Sequence, residues 1–179
     1  MLQKSDLERL LRGIDEEAAL TLGPQVQPLS VVIVGGSALM LRNLTSRPAT
    51  HDVDVLAADS AVSQILARYP AVNGMVSAHA DEIPYNFEDR LVRILPDTRA
   101  IAYLTPSLED LAIMKLYAWR PNDEADLTSP AVLEALDWEL LDHLVFDEDE
   151  AKASALVERR YREMVDVYRL FREEYGPCD

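Results

Sequence analysis

The sequence predicts an α/β (α+β) protein, a small mixed sheet in its first part and helices alone in its last. Two apolar runs, Val31–Val34 and Val53–Leu56, stand on either side of a Gly-Gly-Ser turn. From Pro106 onward the apolar spacing is helical throughout. Strand-and-helix segments followed by helices only is the order of a domain whose helices gather at one end of a mixed sheet. At 179 residues the chain can bury a core in one domain. It reads as an N-terminal helix in 1–26, a sheet-bearing core in 27–105 and a helical part in 106–179, together one compact unit.

In the first helix Leu7, Leu10, Leu11 and Ile14 recur with helical period, and Gly23-Pro24 closes it. Ser5 and Glu8 have the spacing of a capping box. Val31–Val34 is the continuous β-branched run of a central strand covered on both faces. A helix is predicted over Ala38–Leu44, a strand over Asp52–Leu56, and a helix from Asp59 or Ser60 to Arg68, stopped by Pro70. Gly74–Ala78, Leu91–Leu95 and Ala100–Leu104 read as three further short strands. Ser107 with Asp110 caps a helix that runs to Trp119, ahead of Pro121. Asn122–Thr128 reads as a turn-rich connection, and Pro130–Leu136 and Asp137–Val145 as short helices. The last segment, Asp149 to Tyr175, carries Val157, Tyr161, Met164, Tyr168, Phe171 and Tyr175 on one stripe, which predicts a single long helix.

The chemistry concentrates between Ser30 and Leu56. On a strand, Asp52 and Asp54 share one face while Val53 and Val55 share the other. Two carboxylates side by side repel, and a hard divalent cation with oxygen ligands relieves that repulsion. Gly35, Gly36 and Ser37 lie at a strand-to-helix turn, where small residues and unspent backbone N–H groups suit phosphate. No Gly-Lys-Ser/Thr follows, which excludes a Walker loop, and the third glycine of a dinucleotide fingerprint is absent. His51, His79 and His143 show no ligand spacing. Lys115 falls among Leu108, Leu111, Ala112 and Trp119 on the apolar stripe of its helix, so it must snorkel outward or meet an anion.

A hydrophobic strand, Gly35-Gly36-Ser37, a spacer and Asp52-Val53-Asp54 resemble the signature of the polymerase-β-like nucleotidyltransferase superfamily. Arg47 and Thr50 ahead of the aspartates resemble the variant found in abortive-infection (AbiEii-type) and related toxin nucleotidyltransferases. Fourteen residues separate Ser37 from Asp52, slightly more than in minimal members. Thr105-Pro106 and Asp110–Leu116 are similar to the helix whose lysine reaches nucleotide phosphates in those relatives. Arg120-Pro-Asn-Asp123-Glu-Ala-Asp126-Leu127 is similar to a stretch whose last aspartate belongs to their active site. The resemblance implies a nucleotidyltransferase core in 27–105, with Mg²⁺ (or Mn²⁺) on Asp52 and Asp54. It further implies an NTP held by Gly35, Gly36, Ser37, Arg47, Thr50 and Lys115, with Asp126 as third carboxylate; Asp89 and Asp97 stay open for that last role. The implied acceptor is tRNA or a protein, and the implied setting is a toxin–antitoxin or phage-defence pair with a cognate antitoxin as partner. A catalytically degenerate nucleotide-binding regulator and an acidic interaction module are the alternatives.

The net charge of −15 is uneven. Eleven of the 32 acids lie between Arg120 and Lys152 with no lysine or arginine among them, so the other 21 face 17 bases, a net of −4. Such a balance weakens autonomous nucleic-acid binding without excluding a local basic groove, for which Arg42, Arg47, Arg90 and Arg93 are candidates. No apolar run approaches a membrane span, the N-terminus is charged rather than signal-like, and Cys178 is the lone cysteine, so a cytoplasmic protein is expected.

Overall fold

The computed structural model describes residues 1–24 and 27–177, so Cys178 lies outside the described residues. It is mixed α/β, and by internal contacts it divides into two compact units. The first holds Met1–Ala78 and Leu91–Thr105, the second His79–Arg90 and Pro106–Asp179.

The first unit contains α1 (Lys4–Leu22), β1 (Leu29–Val34), α2 (Gly35–Leu41), β2 (Val53–Ala58), α3 (Ser60–Leu66), β3 (Val72–Asn73), β4 (Val92–Ile94) and β5 (Ile101–Thr105). The sheet order is β3-β2-β1-β5-β4. β1 takes the centre, as its β-branched run predicts, and Val31–Val34 are all buried. β1 pairs antiparallel with β2 and parallel with β5, while β3 runs parallel to β2 and β4 antiparallel to β5. A register shift between Val32 and Ile33 leaves Leu56 as an extra residue on β2, so Val55 and Leu56 are consecutive yet both buried.

Leu7, Leu11, Ile14 and Ala18 form the buried face of α1. Its position against β5 is fixed by polar ties. The Asp15 carboxylate accepts the backbone N–H groups of Ala100 (2.9 Å) and Ile101 (2.7 Å), and the Tyr103 hydroxyl donates to the Leu11 carbonyl at 2.8 Å. The helix begins before Ser5, with Gln3 at the cap donating its N–H to Asp6 at 3.1 Å, so the expected Ser5–Glu8 box does not form. The reason is tertiary: Leu2 is bridged to Thr50 by two backbone hydrogen bonds of 2.7 and 2.9 Å, which sets where the helix starts.

Two other expectations change here. The helix expected over Ala38–Leu44 starts three residues earlier, at Gly35 itself. The strand expected over Gly74–Ala78 lies at Val72–Asn73, and Met75–Glu82 is 3-10 helical. The β-branched Val72 takes the ladder position directly opposite Val53, and Gly74 ends the strand.

The second unit contains α4 (Leu108–Ala118), α5 (Pro121–Leu127), α6 (Pro130–Ala135), α7 (Trp138–Phe146), α8 (Ala151–Ser154) and α9 (Glu158–Tyr175). Its core joins Leu111 and Leu116 of α4, Leu141 and Leu144 of α7, and Met164, Tyr168 and Phe171 of α9. The Phe171 ring stacks on Trp138, centroids 5.5 Å apart, and meets Trp119 edge-on. Ser107 and Asp110 form the expected capping box. The segment read as a turn-rich connection is the helix α5. Its Pro-Asn-Asp run serves as a helix start instead, with Pro121 in the first turn and Asp123 accepting from the Arg120 N–H. The long helix expected from Asp149 is broken between Ser154 and Glu158, leaving α8 and α9. No breaker residue marks that interruption. Glu150 is pinned to Arg90 at 3.0 Å while α9 is pinned by its own aromatic stripe, and the chain bends between the two anchors.

Candidate active site

Antiparallel pairing places Asp54 opposite Val34, the residue before the Gly-Gly turn. Gly35 therefore arrives against the Asp54 side chain. It has φ +68°, and a Cβ there would sit 2.7 Å from Asp54 Oδ2, so both the backbone conformation and the space require glycine. A Cβ on Gly36 would collide with the guanidinium of Arg47, which thus lies over the turn. The Ser37 side chain is buried and its hydroxyl donates to the Val34 carbonyl at 3.1 Å. What Ser37 can offer a ligand is therefore its backbone.

Asp52 and Asp54 are half-buried, and Val53 and Val55 are buried, the alternation expected of a strand with its acids on one face. Asp52 lies one residue ahead of β2. Thr50, buried and bridged to Leu2, donates its hydroxyl to the Asp52 carbonyl at 3.4 Å, so the segment leading into the strand is tied at its root. Among the described residues the Asp52 carboxylate meets no hydrogen-bond donor or cation. Asp54 Oδ1 accepts from the side-chain amide of Asn73 at 3.0 Å. Asn73 lies just ahead of the strand that the sequence predicts at Gly74–Ala78, and the local signal for it is the β-branched Val72 that it follows.

In the helical unit Lys115 is buried at 5% exposure. Its ammonium donates to Asp123 Oδ1 at 3.0 Å and to Asp126 Oδ2 at 2.7 Å, so the anions it needs are supplied within its own unit. Trp119 adopts a left-handed conformation (φ 39°) at the end of α4, and that turn brings α5 back toward Lys115. Burial opposes the charge on Asp123, but its hydrogen bonds and attraction to Arg120 and Lys115 prevail and hold its carboxyl below the usual carboxylate range. Asp126 is inside α5 rather than capping α6, whose N-cap is Ser129.

The alternative third acids fall elsewhere. Asp97 sits in the β4–β5 turn, at the end of the sheet opposite Gly35, and is paired with Arg12 at 2.8 Å. Asp89 is exposed on a 3-10 turn of the helical unit. The first unit thus brings together Gly35, Gly36, Ser37, Arg47, Thr50, Asp52 and Asp54, and the second brings together Lys115, Asp123 and Asp126. Among the described residues no group of three or more His, Cys, Asp or Glu is gathered as for a metal ion. Nor is any described helix long and apolar enough to cross a membrane.

Among known families, the one described as "Nucleotidyltransferase of unknown function (DUF6036)" matches residues 9–176. Neither a curated protein nor a solved structure matched the chain.

Proposed function

The chain belongs to this family of nucleotidyltransferases, and we propose that it moves a nucleoside monophosphate from an NTP to a hydroxyl of tRNA or of a protein. The acceptor oxygen bonds to the α-phosphorus, the bond to pyrophosphate breaks, and the hydroxyl proton passes to a carboxylate or to water. The observation that carries this reading is the pair Asp52 and Asp54 on one face beside the Gly35–Gly36 turn, with no donor to the Asp52 carboxylate among the described residues. Such an all-oxygen, doubly anionic donor set suits Mg²⁺ or Mn²⁺. A cation held there would supply shielding of the phosphates and of the charge that develops on the reacting oxygens.

The chain's own residues do the rest. Gly35 and Gly36 let backbone approach the triphosphate without a Cβ in the way, and the Arg47 guanidinium above Gly36 adds positive charge beside it. Ser37 acts through its backbone, and Thr50 orients the segment that carries Asp52. We assign Asp126 as third carboxylate and Lys115 as its partner. Contact of Lys115 with a phosphate requires that the phosphate replace Asp123 or Asp126.

The acceptor and setting are inferred from the resemblance to toxin nucleotidyltransferases together with the charge map. An RNA acceptor would avoid the acidic stretch 121–151 and use Arg42, Arg47 and Arg93. Arg90 is already committed to Asp110 at 2.8 Å and Glu150 at 3.0 Å. The acidic stretch suits a basic partner such as a cognate antitoxin in the cytoplasm.

The test is incubation of the purified protein with each α-labelled NTP, Mg²⁺ and either total tRNA or a lysate. Label is expected on one macromolecule, and Asp52→Ala or Asp54→Ala should reduce its incorporation by more than about 10²-fold. A double alanine variant that transfers at the wild-type rate overturns the assignment.

A further inference from the structure

We infer that Leu2 and Lys4 are positioning residues for Asp52: they clasp the loop between α2 and β2 at both ends and so fix the backbone on which that carboxylate stands. This rests on the metal-dependent reading above and adds to it what holds the cation site in shape.

No donor among the described residues orients the Asp52 carboxylate, so its backbone must place it. That backbone lies outside the sheet ladder, which begins at Val53 toward β3 and at Asp54 toward β1. A residue just beyond the end of a strand frays unless the chain ahead of it is tied down. Ahead of Asp52 the chain runs from 42 to 51 with a single isolated bridge as its regular pairing. The same stretch carries Arg47 over the Gly-Gly turn.

Leu2 makes that bridge. Its N–H donates to the Thr50 carbonyl at 2.7 Å, and its carbonyl accepts the Thr50 N–H at 2.9 Å, two positions ahead of Asp52. The Thr50 hydroxyl reaches on to the Asp52 carbonyl at 3.4 Å. Asp52 is thereby pinned from Thr50 on one side and from the ladder at Val53 on the other. At the far end of the loop the Lys4 ammonium donates to Oδ1 of Asn43, a left-handed residue (φ 60°) just past α2. Such a clasp needs a rigid base, and α1 provides one. The Asp15 carboxylate accepts the N–H groups of Arg99 at 3.1 Å, Ala100 at 2.9 Å and Ile101 at 2.7 Å, and the Tyr103 hydroxyl holds the Leu11 carbonyl. The helix is therefore fastened to β5, on the side of β1 away from β2, and its first residues carry that fixed position to the loop.

The test uses the purified chain and metal alone. Mn²⁺ binding is followed by electron paramagnetic resonance of the free ion, and hydrogen exchange over residues 42–52 by mass spectrometry with β1 as internal reference. Leu2→Pro removes the N–H that Thr50 accepts, whereas Leu2→Ala keeps both main-chain bonds. Lys4→Met removes the donor to Asn43, whereas Lys4→Arg keeps one. For Leu2→Pro, exchange over 42–52 should quicken while β1 keeps its protection, a pattern that general destabilisation would not give. Its Mn²⁺ affinity should fall roughly tenfold, the cost typical of losing support behind a metal ligand. Leu2→Ala should lose less than Leu2→Pro, and Lys4→Arg less than Lys4→Met. If Leu2→Pro does not fold, the ordering is required of the two Lys4 variants. Wild-type Mn²⁺ affinity in the folded variants overturns the inference and leaves the metal reading standing, provided Asp52→Ala abolishes Mn²⁺ binding. Full Mn²⁺ binding by Asp52→Ala overturns both.

Discussion

In the helical unit Asp110 and Glu150 share Arg90, Asp123 and Asp126 share Lys115, and Glu82 meets Arg160. In the sheet unit Asp52, beside the Gly-Gly turn, is handled otherwise: among the described residues its carboxylate meets no donor, while its neighbour Asp54 accepts from the Asn73 amide at 3.0 Å. The contrast separates two uses of the same side chain. A carboxylate buried with its own cation is already balanced, and removing either partner harms the fold. A carboxylate that meets no such cation keeps its charge beside its neighbour's, and an ion from solution relieves that repulsion. Acidity alone, abundant throughout this chain, therefore points nowhere; what marks the candidate site is the neutralisation left for a ligand to provide.

The contrast can be broken first at Lys115. Lys115→Met leaves Asp123 and Asp126 buried without their ammonium and should cost about 3–5 kcal/mol in denaturant unfolding. Calorimetric titration of the folded fraction with a non-hydrolysable NTP then separates roles: unchanged affinity keeps Lys115 structural, and a loss of affinity supports exchange onto phosphate. Gly35→Ala comes next, with an expected cost of about 1–3 kcal/mol for a left-handed residue that also crowds Asp54. Here the loss of Mn²⁺ binding should exceed what the fall in stability explains.

The smallest effect is a pH dependence. The Asp123 carboxyl titrates lower in the folded chain than in the unfolded one. It contributes stability that is fully present above the unfolded value, about pH 4, and is lost as pH falls through the lower folded value. Asp123→Asn should flatten that part of the stability curve. A curve of unchanged slope would mean that Asp123 is not held as described.

How much of this was legible in the sequence depends on where each feature is decided. Val31–Val34 announces a central strand, and Ser107 with Asp110 announces a cap, because four adjacent residues settle both. The shared face of Asp52 and Asp54 follows from strand alternation alone. The place of Lys115 on the apolar face also follows from its helical stripe, but its burial and its partners do not. They arrive through the left-handed turn at Trp119, a bulky residue that local preference would not put there. The start of α1 is set by Leu2 pairing with Thr50, forty-eight positions away, so the local Ser5–Glu8 signal loses. Asn73 is the instructive miss. Two residues are too few to show alternation, and the only thing that makes them a strand is the partner beside them.

The central claim is that Asp52 and Asp54 form the place where an external divalent cation is bound. Thermal unfolding of wild type and Asp52→Asn, each in EDTA and in Mn²⁺, tests it most directly. In EDTA the variant should melt at or above wild type, since one of two repelling charges is gone. At a hundredfold excess over its Kd, Mn²⁺ should raise the wild-type Tm by about 5–10 °C and leave the variant nearly unmoved. Equal shifts in both proteins, or none in either, would contradict the account.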